Sequence, residues 1–254
     1  MTPPLAVIEE FREAIAFIFV QRESVSGGVQ VGGLEQFGAF TANHLVLSLV
    51  ALLIAAAVSV PLGLYLGHRG KGEFLAISAS NIGRAVPSLA LLAFFVAYLG
   101  IGFTNVAAVL VLLAIPPILT NTYVAVRQVD REIVDAARGQ GMTERQITSG
   151  VELPLALPLF FGGLRISAVN VVATATIAPF ANVQTLGEPI INAQIFGDAG
   201  RLAAAIVVAL ITLATDAGFG ALQSALTPKG LKVAASQTGR RRLSLPSLRR
   251  EVVP

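Results

Sequence analysis

RQVDREIVDAARGQGMTERQITSGVELPLALP, residues 127–158, is the longest polar interval of an otherwise apolar chain, and it lies between two long hydrophobic runs. Two short helices are legible in it. Asp130 is placed to cap the first, in which Ile133, Ala136 and Ala137 recur at helical spacing. Gly139 and Gly141 then break it. Thr143-x-x-Gln146 reads as a capping box that opens a second helix, with Ile147 and Val151 one turn apart, and Pro154 is expected to stop it. The stretch is therefore expected to be a helix–turn–helix outside a membrane, with small residues where another body must approach closely.

Working outward, composition supports the membrane. Hydrophobic residues make up 54% of the chain and charged ones 13%, against about 25% charged in ordinary soluble domains. Mean hydropathy is +0.74. An all-α polytopic membrane protein is the direct reading. The length of 254 residues leaves no room for a further domain of normal size. Cysteine is absent, which excludes disulfides, thiolate metal sites and cysteine nucleophiles. His44 and His68 lie far apart and offer no metal-ligand spacing, so no metal site is expected. Gly70-Lys71 is followed by Gly72 rather than Ser or Thr, so no phosphate-binding loop for ATP is present. A cofactor-free chain whose ATP and Mg, if used, are held by a partner is the consequence.

Three segments are expected: an extracytoplasmic N-terminal segment over residues 1–40, a membrane domain over 41–230 with the polar loop at 127–155, and a basic cytoplasmic tail over 231–254. In the first, Leu5–Val20 reads as an amphipathic helix on the membrane surface, or as a short extra membrane element, followed by a Gly-rich loop at Ser26–Gly33. Five spans follow, near 43–66, 74–99, 105–126, 156–180 and 202–226, each close to the roughly 20 residues that a crossing needs. Arg69, Lys71, Arg127, Arg131, Arg138, Arg145 and the tail cations fall on one side, and Arg12, Arg22 and Arg201 among many carboxylates on the other. Basic residues stay in the cytoplasm, so the polar loop and the C-terminus are expected there and the N-terminus outside. The tail is a solvated cationic segment or a lipid-headgroup binder; it has no interleaved aromatics, and no nucleic-acid role is expected.

Ionisable and polar groups at membrane depth carry the functional signal. Asn81, Arg84, Pro87 and Ser88 in the second span, Asn121 in the third, and Asn170 and Thr174 in the fourth are candidates to line a path. Arg84 has a second reading as a structural cation paired with Asp216, the only carboxylate well inside a span. Pro116-Pro117 is expected to break the third helix, and Arg165 to snorkel towards the headgroups.

The pattern Asp135-Ala136-Ala137, Gly141, Val151 and Leu153-Pro154 resembles the EAA loop of ABC-importer permeases, with Asp for Glu and Val for Ile. That resemblance implies a five-helix, MetI-like core with a cytoplasmic coupling helix, in which these residues meet an ABC ATPase dimer. It also implies a second permease subunit, self or paralogue, and an extracytoplasmic solute-binding protein docked around 181–201. His44–Ser48, Val60–Gly63, Pro87–Phe94, Pro117–Tyr123, Gly139–Met142, Glu152–Ala156, Ala175–Ala178 and Thr227–Gly230 resemble, in order, the permeases of glycine betaine/carnitine/choline importers. Departures lie at Arg84-Ala85 and at Ala181–Thr185, ahead of Leu186-Gly187. An amino-acid, sulfonate or thiourea-type betaine permease is the same-class alternative. An ion-coupled secondary transporter would want more membrane carboxylates than Asp216, and a membrane enzyme would want a ligand set or a nucleophile with its base.

Overall fold

The computed structural model describes residues 4–74, 78, 86–228 and 230. Helix α1 (Pro4–Phe19) leads into an antiparallel hairpin of β1 (Gln21–Glu23) and β2 (Gln30–Gly32), and then into α2 (Gly33–Arg69). Next come α3 (Ser88–Leu99) and α4 (Phe103–Arg127). The polar loop holds α5 (Arg131–Gly139), α6 (Glu144–Ile147) and a π turn (Thr148–Glu152). From that turn run α7 (Leu153–Thr174), a 3₁₀ stretch (Ala175–Ala181), α8 (Gly187–Ile191) and α9 (Ala193–Leu226). Four stretches among the described residues are long and apolar enough to cross a membrane: Gly33–Arg69, Phe103–Arg127, Glu144–Ala181 and Ala193–Leu226. The expected second span is represented by the twelve residues Ser88–Leu99; Asn81 and Arg84 lie outside the described residues.

Helix α4 is the centre. Its Val106, Val109, Leu110, Ala114 and Ile118 form one core with Leu47, Ala51 and Ala55 of α2, Leu92 of α3, and Val171 and Ala175 beyond. Apolar burial drives little between helices in lipid, so close approach and hydrogen bonds carry the packing. Glycines make that approach possible. A Cβ on Gly63 would stand 2.7 Å from Thr122 Cβ, and one on Gly67 would stand 3.0 Å from the Tyr123 carbonyl. Across the other side of α4, a Cβ on Gly163 of α7 would stand 2.9 Å from the Pro117 carbonyl. Serines complete both seams: Ser59 donates to the Ile115 carbonyl at 3.3 Å and Ser167 to the Ala114 carbonyl at 3.1 Å. The paired prolines at 116 and 117 do not break α4, contrary to expectation; the helix is continuous through them. Its neighbours hold it on both sides at the level where two of its own N–H donors are missing.

The hairpin end has its own core, in which Phe17 and Phe37, Phe37 and Phe40, and Phe40 and Phe196 meet edge to face at 6.1, 6.4 and 6.1 Å. Ala14 and Phe17 of α1 are buried there against α9 residues such as Ala203, so α1 packs on the bundle along one face. The expected Ser26–Gly33 loop is shorter than read, because Gln30–Gly32 pairs with Gln21–Glu23. Near this end Gly187 stands against the 3₁₀ stretch, where a Cβ would fall 1.9 Å from the Thr176 carbonyl. Leu186-Gly187 is thus a packing requirement.

Candidate functional site

The polar loop folds as two capped helical turns. Asp130 accepts from the Glu132 amide at 2.9 Å and opens α5. In the capping box the Thr143 amide donates to Gln146 Oε1 at 2.8 Å, and the Gln146 amide donates to Thr143 Oγ1 at 3.4 Å. The face of α5 that packs inward is Val134 and Ala137, three residues apart, against Val126, Ile147 and Ala156. Of the residues read at helical spacing, Ala137 packs inward, whereas Ile133 and Ala136 point out: Ile133 is 45% exposed and Ala136 is exposed beside Asp135. A Cβ on Gly139 or Gly141 meets nothing within 4 Å of this chain, and Gly141 holds a left-handed φ of 83°. Pro154 does not stop the second helix. A π turn, Thr148–Glu152, precedes it, and the helical backbone runs through that turn into α7, so the wider turn accommodates the proline. Val151 and Leu153 are half-buried beneath the loop.

A chain of charges ties this loop together and to α2, and only its geometry reveals it. Arg138 donates to Asp135 Oδ1 at 2.9 Å and to Glu144 Oε1 at 3.2 Å. The Arg138 hydrogen bond holds the Glu144 carboxyl below the usual carboxylate range, and Glu144 in turn raises the guanidinium. His68, in the last turn of α2, places Nε2 2.9 Å from Glu144 Oε2 and donates from Nδ1 to Glu152 Oε2 at 2.7 Å. Glu152 is 0% exposed, and its other oxygen lies 3.7 Å from Arg131 Nη1. The signal available in sequence was a lone carboxylate opening an apolar run and a histidine closing one.

Above the loop, α3, α4 and α7 enclose a polar cleft of about 460 Å³. Of the residues read as path-lining, it brings together Ser88, Asn121, Asn170 and Thr174, with Pro116 and Pro117 between them. Asn121 Nδ2 donates to the Pro117 carbonyl at 2.8 Å, occupying an acceptor in the proline-rich segment. Pro87 precedes the first turn of α3 with extended backbone and is exposed, so it stands at the start of that helix and not inside it. Asp216 is ion-paired with Arg165 through both carboxylate oxygens, joining α9 to α7. Arg165 therefore faces a partner helix rather than snorkelling, and Asp216 has a partner other than Arg84. A further cross-helix bond, missed in the sequence reading, is made by buried His44: its Nε2 donates to the Val172 carbonyl at 2.8 Å.

Residues 59–229 match the family of the binding-protein-dependent transport system inner membrane component. The chain belongs to that family. It is a multi-pass membrane permease subunit, and its class is transport. The permease is 36% identical over 195 residues to the carnitine transport permease protein OpuCB of Listeria monocytogenes, covering 76% of this chain and 89% of that one. It is 34% identical over 193 residues to the glycine betaine/carnitine/choline transport system permease protein OpuCB of Bacillus subtilis, with the same coverage of 76% and 89%. Among solved structures, the MetNI methionine ABC transporter in an inward-facing conformation superposes with a TM-score of 0.66 at 20% identity, over 77% of this permease and 98% of that chain. That likeness establishes the MetI-like all-helical fold expected from the resemblance.

Proposed function

We propose that the permease forms one half of the path of an ATP-driven importer for compatible solutes of the glycine betaine, carnitine and choline type. The observation that carries the mechanism is one of connectivity. The loop from Asp130 to Glu152 joins α4 to α7, and these two helices supply most of the polar cleft. Force applied to the loop is delivered to the walls of the cleft without passing through any other element. Supporting the solute class are relatives named for carnitine, choline and glycine betaine transport that align with about three quarters of the chain.

In this reading the exposed Asp135, Ala136 and Gly141 meet a cytoplasmic ATPase dimer on a separate chain, which holds ATP and Mg. Gly139 and Gly141 leave open space that such a partner can enter. A second permease subunit completes the channel, and a solute-binding protein docks outside around 181–201. The basic side, with Arg127, Arg131, Arg138 and Arg145, faces the cytoplasm, as the distribution of cations favours. Asn81 and Arg84 are proposed to join Ser88, Asn121, Asn170 and Thr174 along the path. The chain has no Trp and three Tyr, so a tight aromatic cage for a quaternary ammonium is a poor fit here. Selection belongs to the binding protein.

The test is uptake of labelled glycine betaine, carnitine and choline into proteoliposomes carrying the complete importer. Uptake that requires ATP and the binding protein, and that vanadate stops, is expected. Uptake driven by an ion gradient without ATP overturns the importer reading. ATP-driven uptake of an amino acid or sulfonate in place of all three solutes overturns the solute class.

A further inference from the structure

Glu152 and His68 do more than fill space. A carboxylate with 0% exposure is costly to bury unless it is paired. Its partners come from two different bodies: Arg131 at 3.7 Å from the start of α5, and His68 at 2.7 Å from the end of α2. The second nitrogen of His68 lies 2.9 Å from Glu144 Oε2 on α6. An ionised carboxylate only accepts, so each ring nitrogen must present an N–H, and the imidazolium alone satisfies both. His68 has no slack on its own side. Its neighbour Gly67 is seated on α4, where a Cβ would stand 2.8 Å from Val126 Cβ and 3.0 Å from the Tyr123 carbonyl.

We propose that His68, in its imidazolium form, is the positioning residue that pins the second half of the coupling loop, at Glu144 and Glu152, to α2, so that displacement of the loop moves α2 and α4 with it. The inference rests on the assignment of this loop as the element that the ATPase pushes. The charged groups around the pin are Glu144, Glu152 and Arg131, with Arg138 and Asp135 behind Glu144. On the α2 side stand Arg69, and Arg127 of α4 beside Gly70. Loss of the proton removes one of the two contacts. Coupling therefore depends on the charged ring and its two carboxylate contacts.

The experiment uses the complete importer in proteoliposomes and reads ATP hydrolysed per solute imported. His68→Gln, which lacks the cation, is expected to waste up to about tenfold more ATP than wild type, the factor that loss of one charge-assisted bond implies. His68→Lys, which keeps a cation with several donors, is expected to stay close to wild type. Co-purification of the ATPase is expected in all three. A His68→Gln importer as thrifty as wild type, or a His68→Lys importer that wastes ATP, overturns the pin. If His68→Gln fails to assemble, the comparison of His68→Lys with wild type still decides it. Loss of ATPase co-purification on altering exposed Asp135 and Ala136 tests the coupling assignment separately.

Discussion

Adjacent glycines in α7 offer a controlled test of how tightly the cleft is built. A Cβ at Gly162 meets nothing within 4 Å, whereas one at Gly163 would stand 2.5 Å from Asn121 Cβ and 2.9 Å from the Pro117 carbonyl. Replacing either with alanine raises helix propensity by about 0.5–1 kcal/mol. Gly163→Ala must also push α7 off α4 or displace Asn121, and overpacking of this kind costs about 1–3 kcal/mol. The propensity gain is common to both, so the variants should differ by that overpacking alone. For a chain of this size the difference is roughly 2–12 °C in thermal midpoint. Gly162→Ala is expected to unfold at or slightly above the wild-type temperature, and Gly163→Ala below it. Because Asn121 and Pro117 line the cleft, Gly163→Ala should also slow uptake although alanine itself never touches the solute. The assay is a paired thermal unfolding scan of purified complexes in nanodiscs, with uptake measured on the same preparations. Equal midpoints and equal uptake for the two variants would refute the claim that α4 and α7 are in closest possible contact at this level.

Three further outcomes follow from the same geometry. Asp216→Asn leaves Arg165 without its carboxylate and should reduce the yield of assembled complex; removing both charges, with Arg165→Gln added, should restore it, as quantified by size-exclusion of solubilised membranes. Gly141→Leu forces a side chain into a left-handed φ of 83°, costing about 1–2 kcal/mol, and fills the open space beside it; membrane insertion should persist while uptake and ATPase co-purification are lost. For Glu144 the folded-state carboxyl titrates below its ordinary value, so its contribution is present above the ordinary carboxylate range and lost as pH falls through the lowered value. Amide protection across Thr143–Ile147, corrected for the intrinsic pH dependence of exchange, should accordingly fall on acidification in wild type and stay level in Glu144→Gln.

What the sequence disclosed and what it hid divide along a physical line. Features fixed within a turn or two were legible: the Asp130 cap, the Thr143–Gln146 box and the helix break at Gly139 and Gly141 all need only neighbours. So was the run of long apolar helices, because apolar length is summed over many residues. The rotation of each helix about its axis is set by packing, and local spacing alone did not give it. In α5 the inward pair is Val134 and Ala137, and Ile133 turns out. Long-range pairs were invisible for the same reason. Arg165 meets Asp216 across 51 residues and His68 meets Glu152 across 84, and no local spacing encodes either. Prolines misled in the opposite sense. Pro116, Pro117 and Pro154 each forbid a hydrogen bond locally, yet in this bundle a neighbour or a π turn absorbs the loss.

These contacts also constrain which parts can move. Gly63, Gly67 and Ser59 lock α2 to α4, and Gly163 and Ser167 lock α4 to α7. Shear between such surfaces would have to pass through contacts already at van der Waals limits, so these three helices should behave as one body. By contrast, α3 has Leu92 as its one buried residue among those described. The cleft lies between that body and α3, with Ser88 on one wall and Asn121 on the other. Opening and closing should therefore be a rigid movement of the three-helix body against α3. The chain has no cysteine, so paired cysteines can be placed without background. A short cross-link between positions 59 and 115, across the locked seam, is expected to leave uptake intact, and one between positions 88 and 121, across the cleft, to abolish it. Uptake that survives the second cross-link but not the first would place the moving boundary inside the body, and the rigid-body account would fail.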